Sequence, residues 1–563
     1  MIKTKRNSLA VDGTIKLVFL AALVGIISAF IAIGFRYLLF FFQNLFFYQE
    51  FSGTEVSPVN HNLGLWVIIV PVIGGFLVGL ITKYIAGEAK GHGVPEVMES
   101  IALHGGRMRP RIVLFKALAS ALSIGSGGSV GREGPIIQIG SGAGSTIGQL
   151  LKLDSDQVRI LVGCGAAGGI AATFNTPVAG IIFALEIILL ELKSRSFISL
   201  VISAFFATTV SRIFLGSHPA FQVPSYSFVS LYEIIFYLGL GLLAGIVAIF
   251  LIKLVYGTEN FFEKKILIPA YLKPALGGLI VGGIGYFLPQ VFGYGYDTIS
   301  DFLNQEVIFR TIILLLFFKI IAFVVTIGSG ASGGIFSPSL FIGAAYGWLL
   351  NTPYPDITAP IGAYALVGMA AVFAAVSRAT FTAIIIIFEL TLDYNIILPL
   401  MFSCVIADLV AWMFSDDTIY TKKLSLRGVH ISQDMEANLL DSIRVGETMS
   451  LTYGIPYDQN IVEVHTKLLE GNYSTTCIVD EKKFLTGVIS LKDINKIPIS
   501  ERDSLVKEFM REPVEVTYPD ETLSEALYKM AKHNLERLPV IHHKENPKVL
   551  GQISRSEIIN KMH

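Results

Sequence analysis

The chain has 563 residues, 53% of them hydrophobic and 15% charged, with a net charge of −1. Soluble domains are nearer ~25% charged, so most of this chain is not an ordinary soluble protein, and no global basic field points to nucleic acid. Cys164, Cys404 and Cys477 are odd in number and far apart, which argues against a disulfide framework or a cysteine metal site.

In chain order, Lys3, Lys5 and Arg6 precede an apolar stretch over 15–42. That stretch is long for a cleavable signal and reads as a retained first helix with its basic end in the cytoplasm. Further apolar segments follow at about 63–85, 112–124, 158–174, 177–192, 197–215, 231–256, 273–290, 308–328, 338–350, 361–376, 379–392 and 396–414. A perpendicular span needs ~20 apolar residues. The shorter, glycine-interrupted segments predict broken or re-entrant helices, whose ends must be buried in protein or line a watery cavity. From about 442 to 563 the chain turns rich in Lys, Glu and Asp. The expectation is an all-α polytopic membrane domain over 1–424 with halves at about 15–225 and 230–414. A linker over 425–442 then leads to a small α/β domain over 443–563.

The halves repeat at an offset of 203 residues. Pro71, Gly74, Gly75, Val78 and Gly79 fall on Pro274, Gly277, Gly278, Val281 and Gly282. Phe115, Lys116 and Ala119 fall on Phe318, Lys319 and Ala322. Ser126, Gly127, Ser129, Gly131 and Pro135 fall on Ser329, Gly330, Ser332, Gly334 and Pro338, and Gly165 and Glu186 fall on Gly368 and Glu389. Duplicated halves with paired broken segments mark a transporter-type fold, with the binding site near the midplane where the halves meet. Small residues also recur in any helix bundle, but here Lys, Pro and Glu match as well.

The paired breaks read Gly131-Arg132-Glu133-Gly134-Pro135 and Gly334-Ile335-Phe336-Ser337-Pro338, each followed by an apolar helix. Proline suits the first helical turn, and the glycines let several backbone N–H groups converge. Helix starts carry unpaired N–H groups and the positive end of the dipole. Two such starts meeting at mid-membrane form an anion site without a full positive charge, which can bind an anion and also release it. Glu133 is then an anion inside the anion site. Ionised, it competes with the transported ion; protonated, it leaves. The plainer reading is a helix-capping carboxylate.

These residues closely resemble the CLC family of chloride channels and proton/chloride antiporters over nearly the whole chain. Gly131-Arg132-Glu133-Gly134-Pro135 is identical to one family motif, Gly334-Ile335-Phe336-Ser337-Pro338 fits Gly-x-Phe-x-Pro, and Asn175-x-Pro177-x-Ala179-Gly180 with Glu186 fits a third region. The resemblance implies an inverted-repeat homodimer with one anion pathway per subunit and Glu133 as the gating glutamate. It implies an anion site at Gly131, Arg132, Ile335 and Phe336, with the Tyr420 hydroxyl on the cytoplasmic side. Read alone, Tyr420 is equally an interfacial aromatic. It also implies a multi-pass cytoplasmic (inner) membrane protein with both termini in the cytoplasm.

Two departures bear on mechanism. The family's Gly-Ser-Gly-x-Pro reads Gly91-His92-Gly93-Val94-Pro95 here. Either an imidazole N–H donates to the anion, more strongly when protonated, or the ring turns away and backbone groups suffice. Nitrate or fluoride therefore stands beside chloride as a candidate ion. After Glu186, where many antiporters of the family carry a second glutamate for protons, this chain has Ile187. That favours channel-like or weakly coupled transport over proton-coupled antiport, with Glu191 either a nearby substitute acid or a solvated helix end. Lys116 and Lys319 either raise the potential along the anion path or snorkel to an interface.

The tail repeats as well, at an offset of 61 residues: Met449, Val462, Leu469 and Val479 answer Met510, Leu523, Met530 and Val540. It resembles a pair of CBS domains, at about 443–500 and 505–563. Such modules often bind adenine nucleotides. Ser490 with Asp493, and Ser554 with Glu557, fit the ribose-holding Ser/Thr-x-x-Asp element, which is also a helix capping box. No other cofactor and no metal is expected; His542-His543 lacks a third ligand at usable spacing. Two other classes fit less well. A membrane enzyme with Gly140-Ser141-Gly142-Ala143-Gly144 as a nucleotide cradle lacks the preceding strand. A cation transporter needs intramembrane acidic rings.

Overall fold

The structure, a computed structural model, describes residues 2–191, 193–217, 230, 232–304, 307–351, 358–429, 440, 443–452, 454–471, 474–543 and 546–562. Most of the expected linker at 425–442, and residues 544–545, lie outside them. The chain divides into two compact units, Met1–Gly428 and Val429–His563.

The first unit is helical. Its first half contains α1 (Ile2–Gln43), α2 (Val70–Leu80), α3 (Val94–His104), α4 (Ile112–Gly125), α5 (Glu133–Leu150), α6 (Ser155–Phe174), α7 (Pro177–Phe183) and α8 (Ser194–Leu215). The second half contains α9 (Glu233–Lys264), α10 (Lys273–Phe287), α11 (Tyr296–Leu303), α12 (Phe309–Gly328), α13 (Phe336–Asn351), α14 (Ile361–Ser377), α15 (Thr380–Thr391) and α16 (Ile397–Phe414). A short α17 (Thr421–Leu426) follows. Among the described residues, seven helices are long and apolar enough to cross a membrane, and α4, α13, α14 and α15 are apolar but shorter. Broken helices in a bilayer must be buried in protein or line a cavity; α14, for instance, is buried from Gly362 to Ser377.

The halves exchange contacts reciprocally. A methyl added at Gly75 of α2 would stand 2.3 Å from the Pro274 carbonyl oxygen of α10, and one at Gly278 of α10 would stand 2.1 Å from the Pro71 oxygen of α2. Only glycine lets these backbones approach so closely. The same exchange holds α7 to α15. Glu186 accepts from the N–H groups of Phe381 (3.1 Å) and Thr382 (2.9 Å), while Glu389 accepts from those of Val178 (3.1 Å) and Ala179 (2.7 Å). Each carboxylate caps the start of its counterpart's helix, satisfying donors that have no intrahelical partner.

In the tail unit, strands β1 (Ser450–Leu451), β6 (Asn546–Ser554) and β5 (Arg537–His543) form one sheet, in that spatial order. Strands β2 (Ile455–Pro456), β3 (Thr475–Val479) and β4 (Leu485–Ser490) form the other. β3 and β4 run antiparallel, as do β5 and β6, while β2 and β3 run parallel. The helices Ile461–Glu470 and Leu523–Lys532 each bury an apolar face against their own sheet. Cys477, Val479, Ile541 and Val549 pack between the copies.

Candidate anion site

Four backbone segments meet where the halves join. Gly131 and Gly334 hydrogen-bond reciprocally, N–H to carbonyl, at 2.7 and 2.6 Å. Gly91 donates to Ala331 (3.0 Å) and accepts from Gly333 (3.3 Å), which brings in the loop before α3. A methyl at Gly134 would stand 2.2 Å from the His92 carbonyl oxygen and 3.0 Å from the Gly334 Cα. The starts of α3, α5 and α13 are therefore in contact, and the first-turn N–H groups of each lack intrahelical acceptors. Ile335 and Phe336 open α13 here, 2% and 5% exposed. Tyr420, also buried, enters from the segment before α17, its ring 6.0 Å from that of His92.

Two buried lysines fix the loops. Lys116 Nζ donates to the carbonyls of Ala89 (3.0 Å) and Gly91 (2.7 Å); Lys319 Nζ donates to those of Val291 (3.0 Å) and Gly293 (3.0 Å). Neither snorkels to a surface. Their bonds reveal a register that the constant offset hides: Gly293-Tyr294-Gly295-Tyr296 is the counterpart of Gly91-His92-Gly93-Val94, shifted by 202 residues. All four glycines have positive φ, between 59° and 89°, which favours glycine over any side chain.

Glu133, 2% exposed, turns to this second loop. Its Oε1 accepts from the Tyr296 hydroxyl at 2.5 Å and from the Ser337 hydroxyl; its Oε2 is buried with no protein partner. The Arg132 guanidinium does not pair with it. It sits over the rings of Tyr294 (5.1 Å), Tyr296 (5.4 Å) and Phe174 (5.5 Å), a cation–π cage that keeps the positive charge beside the site.

On the other side, Tyr256 of α9 donates to the Ile419 carbonyl at 2.5 Å, and its oxygen lies 3.3 Å from His92 Nε2. With the tyrosine proton committed, Nε2–H is the donor of that pair. The neutral ring then carries a lone pair, not a donor, at its unpartnered Nδ1. A cavity of ≈ 970 Å³ opens beside Tyr256, lined among others by Glu96, Gln138, Lys423 and Arg427. Lys423 pairs with Glu96 at 2.7 Å, and Arg427 with Glu99 at 2.7 Å, tying α17 to α3.

Ile187 is 6% exposed, in a π-helical turn after α7. Glu191 is paired with Lys193 at 2.7 Å and accepts from Ser196. Tyr256, Tyr294 and Tyr296 belong to no motif and escaped the sequence reading. The repeated Gly-x-Gly before Tyr296 was the available signal.

These motifs and their meeting point match known proteins. The family model described as voltage gated chloride channel matches residues 74–412.

The chain belongs to the CLC family of voltage gated chloride channels.

A CBS domain model matches residues 506–563. A putative chloride channel protein, ClcB-like, of Ralstonia nicotianae is 35% identical over 415 residues, 72% of this chain and 96% of the relative. The structure of a slow cyanobacterial Cl−/H+ antiporter matches with a TM-score of 0.65 and 25% identity, over 73% of this chain and 97% of that one. A eukaryotic CLC transporter shares the fold over 96% of this chain and 98% of its own, with a TM-score of 0.64 and 21% identity. Membership makes the chain a multi-pass membrane protein of the CLC type.

In the tail, Ser490 and Asp493 form a complete capping box, and Arg511 pairs with Asp493. Glu557 accepts from the Ser554 N–H (2.7 Å), the Ser554 hydroxyl (2.6 Å) and the Ser450 hydroxyl.

Proposed function

We propose that the chain conducts chloride across the cytoplasmic (inner) membrane through a CLC-type path gated by Glu133, in a channel-like or weakly proton-coupled manner. The observation that carries this reading is the Glu133 carboxylate buried where α3, α5 and α13 begin. Converging N–H groups and helix dipoles favour an anion there. When Glu133 is ionised, it fills the position an anion would take. When protonated, it has lost the charge that keeps it there, and chloride replaces it. Ile335 and Phe336 supply backbone N–H groups, Gly131 spends its own N–H on the Gly334 carbonyl and so holds the two starts together, Arg132 supplies field from its aromatic cage, and the Tyr420 hydroxyl closes the site from the other side. His92 joins as a donor when doubly protonated. The subunit works as a homodimer with one path each and both termini cytoplasmic.

The buried, non-ionisable Ile187 supports weak coupling. Proton-coupled exchange is the second reading, supported by the likeness to the slow cyanobacterial antiporter.

Purified protein in liposomes under a chloride gradient, with external chloride and pH recorded together, tests the proposal. The expected result is chloride efflux with little proton movement, and more proton movement in Ile187→Glu. Uphill proton pumping by the wild type would select the second reading, and flux of nitrate or fluoride without chloride would change the ion.

A further inference from the structure

The gate reading needs something that holds Glu133 in place when it is charged and frees the position when it leaves. We propose that Tyr296 and Ser337 are that device: a pair of hydroxyls that latch the ionised Glu133 and then serve as ligands of the anion that replaces it. The proposal rests on Glu133 being the gate and adds the groups that set when it opens.

Both hydroxyls donate to the same oxygen, Glu133 Oε1, and they also lie 3.3 Å from each other. Two donors on one oxygen are suited to a full negative charge. A hydrogen bond to an ionised acceptor is about twice as strong as one to a neutral acceptor, so the latch grips the carboxylate and slackens on the acid. Ser337 is fully buried at the start of α13, and Tyr296 opens α11. Each sits on a helix start braced by backbone contacts, so neither is free to follow the carboxylate when it swings away. Their hydroxyls then face a vacated position in a buried site and have lost the charged acceptor they share. A chloride there meets that need with the same charge as the carboxylate it replaces.

The groups facing Glu133 from each packed element are few. Tyr296 comes from α11, Ser337 from α13, Tyr420 from the segment before α17, and Arg132 from its own segment, with Tyr294 and Glu55 beyond Arg132. Arg132 is held by rings rather than by the carboxylate, which leaves the hydroxyls as the direct partners. The pseudo-symmetric partner of Tyr296 is Val94, which carries no hydroxyl, so the latch belongs to one side of the site only.

The test uses Tyr296→Phe and Ser337→Ala, each alone, in the full chain and again with Glu133→Gln. Chloride flux from liposomes is measured across pH 4 to 8, and chloride affinity by calorimetry. Loss of one bond to a charged group moves the pH of half-maximal flux upward by about one to two units, because less acid is needed to release an unlatched carboxylate. With Glu133→Gln the pH shift vanishes, while each hydroxyl variant binds chloride about tenfold more weakly. Unchanged pH profiles in both single variants, with Glu133→Gln still abolishing pH dependence, would overturn the latch and leave the gate standing. A Glu133→Gln protein with the wild-type pH profile would overturn the gate itself. Either substitution alone suffices, so misfolding of one does not rescue the proposal.

Discussion

Lys116 and Lys319 make the same pair of bonds on opposite sides of the site, each binding two backbone carbonyls of one glycine-rich loop. A lysine ammonium has three donors, enough to clamp two carbonyls at once. The Lys116 clamp precedes His92 and the Lys319 clamp precedes Tyr294 and Tyr296. Their first effect is therefore to position the loops, and any effect on the field along the path is secondary.

Lys319→Met takes from the Val291 and Gly293 carbonyls the donor they share, at ~1–3 kcal/mol per group, while Lys116→Met removes one of two donors from each of Ala89 and Gly91, which keep the Ser332 hydroxyl and the Gly333 N–H. Both are expected to lower the melting temperature in detergent by several degrees. Lys319→Met should also shift the pH profile of flux, because it loosens the loop leading to Tyr296, whereas Lys116→Met should not. Equal melting temperatures for wild type and both variants would contradict the clamp.

Glu186→Ala and Glu389→Ala should behave alike, because each strips the cap from one helix start of the α7/α15 pair. A lost cap costs about 1 kcal/mol. Thermal unfolding should show two similar losses, and the pH profile of flux should stay at its wild-type position. A pH shift in Glu186→Ala alone would assign Glu186 to proton movement instead.

The tail carries its own pH dependence. Burial pushes the Glu557 carboxyl up, but the bonds from Ser450 and Ser554 outweigh it and hold the group below its ordinary value. A carboxyl lowered on folding adds stability above its unfolded value of about 4.3, and that stability is lost as pH falls through the folded value. Hydrogen exchange of the β5 and β6 amides, measured on the intact protein and corrected for intrinsic rates, should show protection falling below pH 4. Glu557→Gln should show a flatter dependence, and parallel losses in both proteins would exclude Glu557 as the source.

For an adenine nucleotide to use Asp493 and Glu557, its ribose must compete with Arg511 and Ser450 for those carboxylates. Calorimetric titration of the intact protein with ATP is accordingly expected to give no saturable heat. Saturable binding that Asp493→Ala abolishes would reverse this.

The repeat at 203 residues, the broken helices and the meeting of the two glycine-rich starts were legible because they are written in backbone-determining residues: Gly, Pro and the paired Lys and Glu. The Glu133 region was legible for the same reason. The loop over Gly293 to Tyr296 was not. One residue fewer between the repeats moves Tyr296 off the position matching Val94, and a constant offset places it on Gly93 instead. The helix α11 escaped because it is eight residues long and half polar, so it gives no apolar run. Tyr256 lies within a long apolar helix, where a tyrosine reads as one more aromatic, and only its contact with His92 gives it a role.

Chloride flux from liposomes into low-chloride buffer, compared between wild type and Glu133→Gln from pH 4 to pH 8, is the most direct measurement. Gating by the ionised carboxylate predicts a wild-type rate that rises as pH falls, and a Glu133→Gln rate that is high and flat across the range. A Glu133→Gln protein that keeps the wild-type rates and pH dependence would contradict the account.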